Sequence, residues 1–269
     1  MSYKLCISTL LFSMFLSPLK AQEVIITIYL HNGTIFETPI SEIDSIKFSG
    51  QKDGVVINGV RWATRNLAAH GVFCAKSEDY GALFQWGRRG DMHEQRTSPN
   101  YPTNDNSSEN GAVSSSGLDA NGQIINTHAA YGKFIKQNDE LWDWRSPQKD
   151  DLWNSGKETA PQKTANDPCP AGWRVPTKAE LESLVTSGNE WDDLKRGRYF
   201  GSETNKIFLP ASGGRNCGRG EVNATGDVGF YWCSTVVDVN VHYLYFYSEN
   251  VYVDGGGRAA GFSVRCVAE

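Results

Sequence analysis

The chain has 269 residues and a formal net charge of −5, with 26 Lys and Arg against 31 Asp and Glu. Its basic residues are scattered singly among acids, so the basic stripe of a nucleic-acid interface is missing and no nucleic-acid partner is expected. Aromatic residues make up 12% of the chain and glycine numbers 27, a composition of short strands and structured loops rather than long helices.

Residues 1–21 combine Lys4, an apolar run from Leu5 to Leu16 and a small residue at Ala21, the pattern of a cleaved secretory signal. The run is shorter than the roughly 20 residues that a membrane-spanning helix needs, and no later segment comes closer. A secreted, extracellular or outer-surface protein without a transmembrane segment is therefore expected. Cys6 lies at the front of the apolar run, whereas a lipid-modified cysteine follows it. Five cysteines remain after the signal, in a compartment where disulfides persist. An odd number leaves at least one thiol outside any intrachain pair.

Residues 22–50 hold two β-rich runs, "EVIITIYL" and "TIFETPISEIDSIKF", around Asn32-Gly33, a hairpin-turn signal. This small unit cannot bury a core alone. A linker, "SGQKDG", leads into a larger domain spanning 55–269, which opens with a second hairpin signal at Asn58-Gly59. An aromatic strand in "YGALFQWGRRG" follows. The Ser- and Asn-rich stretch near 95–128 reads as a long surface loop without a packed face.

In "NDPCPAGWRVPTKAELESLV" the Thr177 and Glu180 spacing is that of a capping box, and Leu181, Leu184 and Val185 line one face of the helix that follows. Beyond it come strands and turns: "KIFLPA", "GFYWCSTV", "VHYLYFYSE", "VYVD" and "GFSVRCVAE". Alternation puts His242, Leu244 and Phe246 on one face of their strand and Tyr243, Tyr245 and Tyr247 on the other. The same rule groups Cys266 with Phe262 and Val264, toward the core, opposite Ser263 and Arg265. A disulfide from Cys169 to Cys266 is then the economical reading, against two buried reduced thiols. A second pair, Cys217 with Cys233, would leave Cys74 free.

Four stretches, "GVRWATRNLAAHGVFCAKSEDYGALFQWGR", "NDPCPAGWRVPTKAELESL", "IFLPASGGRNCGRGEVNATGDVGFYWCSTV" and "GFSVRCV", together resemble the Fibrobacter succinogenes major paralogous domain, found in secreted and surface proteins of Bacteroidota and related bacteria. The resemblance implies an α+β, C-type-lectin-like domain preceded by the small N-terminal β-hairpin unit, with Cys169 and Cys266 as the family's cysteine pair. It implies no particular ligand. Cys217 and Cys233 depart from the family's usual pattern.

The five histidines are isolated, and HExxH, GxSxG and CxxC are absent, so the chain does not read as an enzyme. Relatives of this fold include the formylglycine-generating enzyme, which uses two nearby cysteines, but its flanking motifs are not visible here. Neither a metal nor a cofactor is expected: "NDNSSEN" and "LDANG" offer Asp and Asn without full calcium-loop spacing. Trp142, Trp144 and Trp153 stand among charges, either as sugar- or partner-binding rings or as core anchors.

In lectin-like domains with diversified C-terminal strands, variable side chains occupy the outward face just before the last strand. The resemblance therefore points to Tyr231, Asp238, Asn240, Tyr245, Tyr247, Asn250, Tyr252, Asp254 and Arg258 as ligand-binding candidates. The expected function is a noncatalytic, adhesin-like binding protein for a glycan or protein ligand. The alternative is a structural component with a surface-appendage partner, its N-terminal unit adding to a partner's sheet; an enzyme ranks third.

Overall fold

Asn58 and Gly59 both have positive φ, 48° and 82°, which a two-residue type I′ hairpin requires. They join the strands Gly54–Ile57 and Val60–Ala63. The computed structural model describes residues 25–29, 35–39, 41, 54–103, 110–139 and 141–269. The expected signal, the Asn32-Gly33 turn and most of the linker lie outside the described residues. The chain divides into two compact units, 1–52 and 53–269. In the first, Ile25–Tyr29 pairs antiparallel with Ile35–Pro39, Thr27 opposite Glu37.

The second unit is built of short strands in several small sheets around one α-helix among its described residues, an α+β arrangement dominated by strands. No helix among the described residues is long and apolar enough to cross a membrane. One four-stranded sheet runs in the order Trp173–Arg174, Val267–Ala268, Val60–Ala63, Gly54–Ile57. It places the last strand beside the first hairpin, Val267 opposite Trp62. Two three-stranded antiparallel sheets follow from the strand–turn alternation: Asn189–Asp192 with Gly197–Gly201 and Lys206–Pro210, and Gly229–Val237 with Asn240–Phe246 and Val251–Gly256.

Thr177 caps the helix Lys178–Val185 as its spacing predicts. The Glu180 amide donates to Thr177 Oγ1 at 3.4 Å, and the Thr177 amide donates to Glu180 Oε2 at 2.7 Å. Arg174 clamps both Glu180 oxygens, at 2.8 and 2.6 Å. Leu181 and Leu184 are buried and Val185 packs at the edge.

The strand Gly229–Val237 lies between two hydrophobic clusters. Trp232 belongs to one, with Trp86, Trp144, Trp153 and the disulfide cysteines. Tyr231 and Cys233 belong to the other, with Leu181, Leu184, Leu244 and Phe246. Gly229 is required where this strand meets its neighbour, because a Cβ there would lie 2.2 Å from the Phe246 ring.

The disulfide Cys169–Cys266 is present, with a Cα separation of 6.0 Å. Cys74, Cys217 and Cys233 are free thiols, so the second pair expected from sequence is corrected. The reason is placement: Cys217 packs against the first cluster, whereas Cys233 lies within the second.

Two further expectations change. The segment 95–128, outside residues 104–109, is packed rather than merely solvated: Val113 and Ile124 are buried in the first cluster. It is held by polar anchors, among them Gln123, whose Nε2 donates to Gly87 O and whose Oε1 accepts from the Arg89 amide, at 3.0 and 2.7 Å. In "GFSVRCV" both faces are enclosed, so Ser263 and Arg265 are as buried as Val264 and Cys266.

The bridge spans 97 positions, a loop whose closure is worth about 4.7 kcal/mol by chain entropy, with measured values commonly about 2–4 kcal/mol. The double variant C169A/C266A is therefore expected to unfold in urea with a free energy lower by about 2–4 kcal/mol. An unchanged midpoint would mean that the packed core alone holds the two segments together.

Candidate functional site

The strand Asn240–Phe246 carries Tyr245 on the face opposite Leu244 and Phe246, and antiparallel pairing sets Tyr245 between Phe230 and Tyr252. The cross-strand rings follow from this register: Tyr245 lies 4.9 Å from Tyr252 and 5.1 Å from Phe230, centroid to centroid. Tyr247, just past the strand end, adds a third tyrosine at 5.8 Å. Phe230 stacks on Phe262 at 4.7 Å, and Phe262 packs on the buried Trp232 at 4.3 Å. One row of rings thus runs from the core to the surface.

At the outer end of this row Tyr245, Tyr247 and Tyr252 line a cleft of about 500 Å³ together with Trp191, Asp193, Arg196 and Asp227. Trp191 comes from the strand Asn189–Asp192, and Arg196 from the turn after it, at φ 55°. Trp191 donates from Nε1 to Asp193 Oδ1 at 2.8 Å. Arg196 donates from Nε to Gly226 O at 2.7 Å, bonds Asp227 through its other nitrogen, and stands 5.7 Å from the Trp191 ring centre. The guanidinium is thereby oriented and its charge balanced. The cleft presents aromatic faces between fixed carboxylates, an amphipathic surface suited to a ring with one apolar face and hydroxyls at its edge.

No protein-family model, curated protein or solved structure matches the chain.

The nine residues proposed from sequence do not form one site. Tyr245, Tyr247 and Tyr252 meet in the cleft. Asn250 supports them, its Nδ2 donating to the Tyr247 hydroxyl at 2.7 Å. Asp254 lies opposite Tyr243 on the exposed edge strand and accepts from the Gly255 amide at 2.8 Å. Asp238 and Asn240 sit at the other hairpin turn, a strand length or about 20 Å away.

Tyr231 and Arg258 are corrections, because both are 1% exposed. Tyr231 points into the second cluster and donates its hydroxyl to Pro210 O at 2.6 Å. Arg258 ties loops together: Nε donates to Val239 O at 3.2 Å, and its terminal nitrogens reach Lys149 O at 3.1 Å and Asp150 Oδ1 at 2.7 Å. Trp191, Asp193, Arg196 and Asp227 were missed by sequence reasoning. The tryptophan among charges in "NEWDDLKRG" is the one local signal that marked this turn.

Of the three tryptophans with two readings, Trp144 and Trp153 are fully buried anchors, whereas Trp142 is 38% exposed and held at φ 47°. Asp119 of "LDANG" accepts the Asn121 and Gln123 amides at 2.8 and 2.9 Å, so its Oδ1 closes a turn.

Asp91, His93 and Glu94 bring potential metal-ligand atoms within 4.8 Å of one another. Both ring nitrogens of His93 are engaged, however. Nδ1 lies 2.7 Å from Asp91 Oδ1, and Nε2 faces the Gln85 amide at 3.2 Å. A backbone N–H can only donate, so this network assigns the ring proton to Nδ1. Burial, with the Arg88 charge beside it, lowers the His93 pKa and favours this neutral form over the pull of Asp91. Arg88 holds the remaining Asp91 oxygen at 2.6 Å. The group reads as an internal hydrogen-bond network.

The Cys233 thiol is fully buried and pushed up to about 12 by that burial, and Cys74 to about 11 for the same reason. These environments oppose thiolate formation, the reverse of an activated nucleophile.

Asp143 is 2% exposed, and its Oδ2 has no hydrogen-bond partner among the described residues. Burial pushes its carboxyl up to about 7 against the pull of Arg258, whose Nε lies 3.9 Å away. The folded value lies above the ordinary value of about 3.9, so folding favours the protonated acid. Its contribution is full below about pH 4 and is lost as pH rises through about 7. The difference in stability between D143N and the parent, followed by urea unfolding, is expected to move in favour of the variant from pH 4 to pH 8. A difference independent of pH would show that Asp143 ionises alike in both states.

Proposed function

We propose that this chain is a noncatalytic, adhesin-like binding protein, secreted or held at the cell surface, that recognises a glycan or protein ligand through the outer end of its C-terminal strand face. The observation that carries this reading is the Trp191, Tyr245, Tyr247 and Tyr252 cleft, with Asp193 and Asp227 at hand. Tyrosine and tryptophan provide large contact area for little lost side-chain entropy, and their rings are already held by neighbours. A sugar could stack its apolar face on these rings while its hydroxyls meet the carboxylates; an aromatic or polar peptide side chain could use the same contacts. The sequence resemblance to the Fibrobacter succinogenes major paralogous domain and its C-type-lectin-like fold supports this placement of a ligand face. The apolar run at 5–16 supports export.

Binding of the purified protein to an array of glycans and host-matrix proteins, with and without a calcium chelator, provides the test. A hit is expected to persist in chelator and to weaken at least about tenfold in W191A or Y245A/Y252A, the range of central aromatic anchors. Undiminished binding by these variants would remove this face from the function.

A second reading rests on the two-stranded sheet of the first unit. An antiparallel pair with no third strand among the described residues has backbone edges suited to adding to a partner's sheet, as in a component of a surface appendage. Deleting residues 22–50 is then expected to abolish assembly while the larger unit keeps the urea midpoint of the parent. Assembly that survives the deletion would reject that role.

A further inference from the structure

The sheet that carries the tyrosines ends on an open edge. Its strand order is Gly229–Val237, Asn240–Phe246, Val251–Gly256, and no strand flanks the last of these among the described residues. The Tyr247 amide donates to Asn250 O at 3.0 Å, so Asn250 turns its backbone toward the neighbouring strand. Antiparallel alternation then turns the backbone groups of Tyr252 and Asp254 inward and those of Val251, Val253 and Gly255 outward. On that outer side no hydrogen bond among the described residues reaches the amide or carbonyl of Val251 or Val253. The Gly255 amide is taken by Asp254 Oδ1 at 2.8 Å, which closes the open stretch at that end. Strand edges are commonly blunted by Lys, Pro or a bulge. This one runs Val-Tyr-Val-Asp-Gly-Gly and pairs with its neighbour without a register shift.

Side chains of the same strand supply a second, independent feature. Val251 and Val253 pack against the second hydrophobic cluster, which fixes the strand from one face, while Tyr252 and Asp254 are exposed on the other. Tyr252 is 44% exposed, and its ring lies against Tyr245 in the wall of the aromatic cleft. The surroundings are acidic: Asp193 and Asp227 line the cleft, and Glu249 is exposed at the preceding turn. The arginines at this end are spent, Arg196 on Gly226 O and Asp227, and the buried Arg198 on Asn189 and the Tyr247 and Ser248 carbonyls. A basic side chain laid over Tyr252 would meet an aromatic face beside the Asp254 carboxylate.

We propose that the edge Val251–Gly256 binds an extended polypeptide segment, which adds antiparallel as a further strand and lays a basic side chain over Tyr252. This pairing rests on the reading of the Tyr245 and Tyr252 face as the ligand face, and it selects a protein over a glycan. A strand meets the edge with amide and carbonyl groups that repeat about every 7 Å, the spacing of Val251 and Val253. A sugar offers no such alternation. Residues of the segment opposite Val251 and Val253 supply the backbone bonds, and the residue between them directs its side chain to the Tyr252 face.

The probe is the peptide acetyl-Thr-Val-Arg-Val-Thr-amide, titrated into the isotopically labelled protein and followed by amide chemical shifts and hydrogen exchange. Saturable binding is expected, with the Val251 and Val253 amides exchanging about tenfold more slowly at saturation. Methylating both valine amides of the peptide is expected to abolish binding, whereas methylating its arginine amide, which points away from the edge, leaves binding in place. Norleucine in place of the arginine weakens binding about threefold. V253P removes an outward donor that lies outside the ladder and weakens binding at least about fivefold. Its urea midpoint checks the fold, and the methylated peptides test the same bonds on the unaltered protein. No saturable binding, Val251 and Val253 amides that exchange at the free rate in the bound protein, or undiminished binding of the valine-methylated peptide would each overturn the proposal. A glycan hit weakened in W191A, with no peptide bound, would overturn the strand pairing alone. Peptide binding that protects the edge amides and is unaltered in W191A and Y245A would support the strand pairing and overturn the cleft reading alone.

Discussion

A chain with so few long ladders must satisfy its buried carbonyl oxygens by other means, and the rest of this structure depends on how it does so. Buried arginines take that role. Arg265 reaches Ala63 O, Phe208 O and Asn66 Oδ1. Arg215 reaches Gly220 O, Ser98 O and Ser98 Oγ. Arg88 joins Lys133 O to Gln85 and Asp91, and Arg258 joins the segments around Val239 and Lys149. A guanidinium offers five donors in a fixed plane, so one side chain can anchor three loops that share no ladder. Burial lowers the pKa of Arg215 and Arg265 to about 10, which still leaves both charged at neutral pH.

Buried indoles repeat this solution on a smaller scale. Trp232 donates to Phe84 O, Trp86 to Cys233 O, and Trp144 to Trp86 O, all at 2.7–2.8 Å. Each ring fills core volume and fixes a carbonyl of another segment, so packing and hydrogen bonding set the same positions. The disulfide adds a covalent tie where the last strand passes the helix entrance. With the strand Gly229–Val237 held on both sides, its outer neighbours have a firm base. The aromatic row from Trp232 through Phe262 and Phe230 to Tyr245 carries that rigidity out to the cleft.

Local features were readable where the cause is local. Asn58-Gly59 dictated a hairpin because few residue pairs tolerate positive φ twice. Thr177 and Glu180 dictated a helix start because three-residue spacing alone brings each side chain to the other's amide. Tyr245 was readable as facing away from Leu244 and Phe246 through alternation, whereas its pairing with Tyr252 came from the register of the sheet. Tyr231 was misread because it sits on the same strand face as Cys233, against the second cluster, and that cluster is assembled from segments distant in sequence. Arg258 was misread for a related reason: a charged residue in a Gly-rich turn looks solvated until the partners of its guanidinium, Asp150 and the Lys149 and Val239 carbonyls, are brought to it.

What the sequence by itself determined were the turns, the helix cap, the alternation of the C-terminal strands and the candidacy of Cys169 and Cys266 as partners, all properties of a few adjacent residues or of side-chain chemistry. Only the tertiary structure decided which cysteines meet, that both faces of Gly229–Val237 are enclosed, and that Trp191, Arg196 and Asp227 join the tyrosines in one cleft. Those outcomes depend on contacts between segments tens of residues apart. The register of short strands and the reach of buried arginines select such contacts, and neither leaves a periodic trace in the chain.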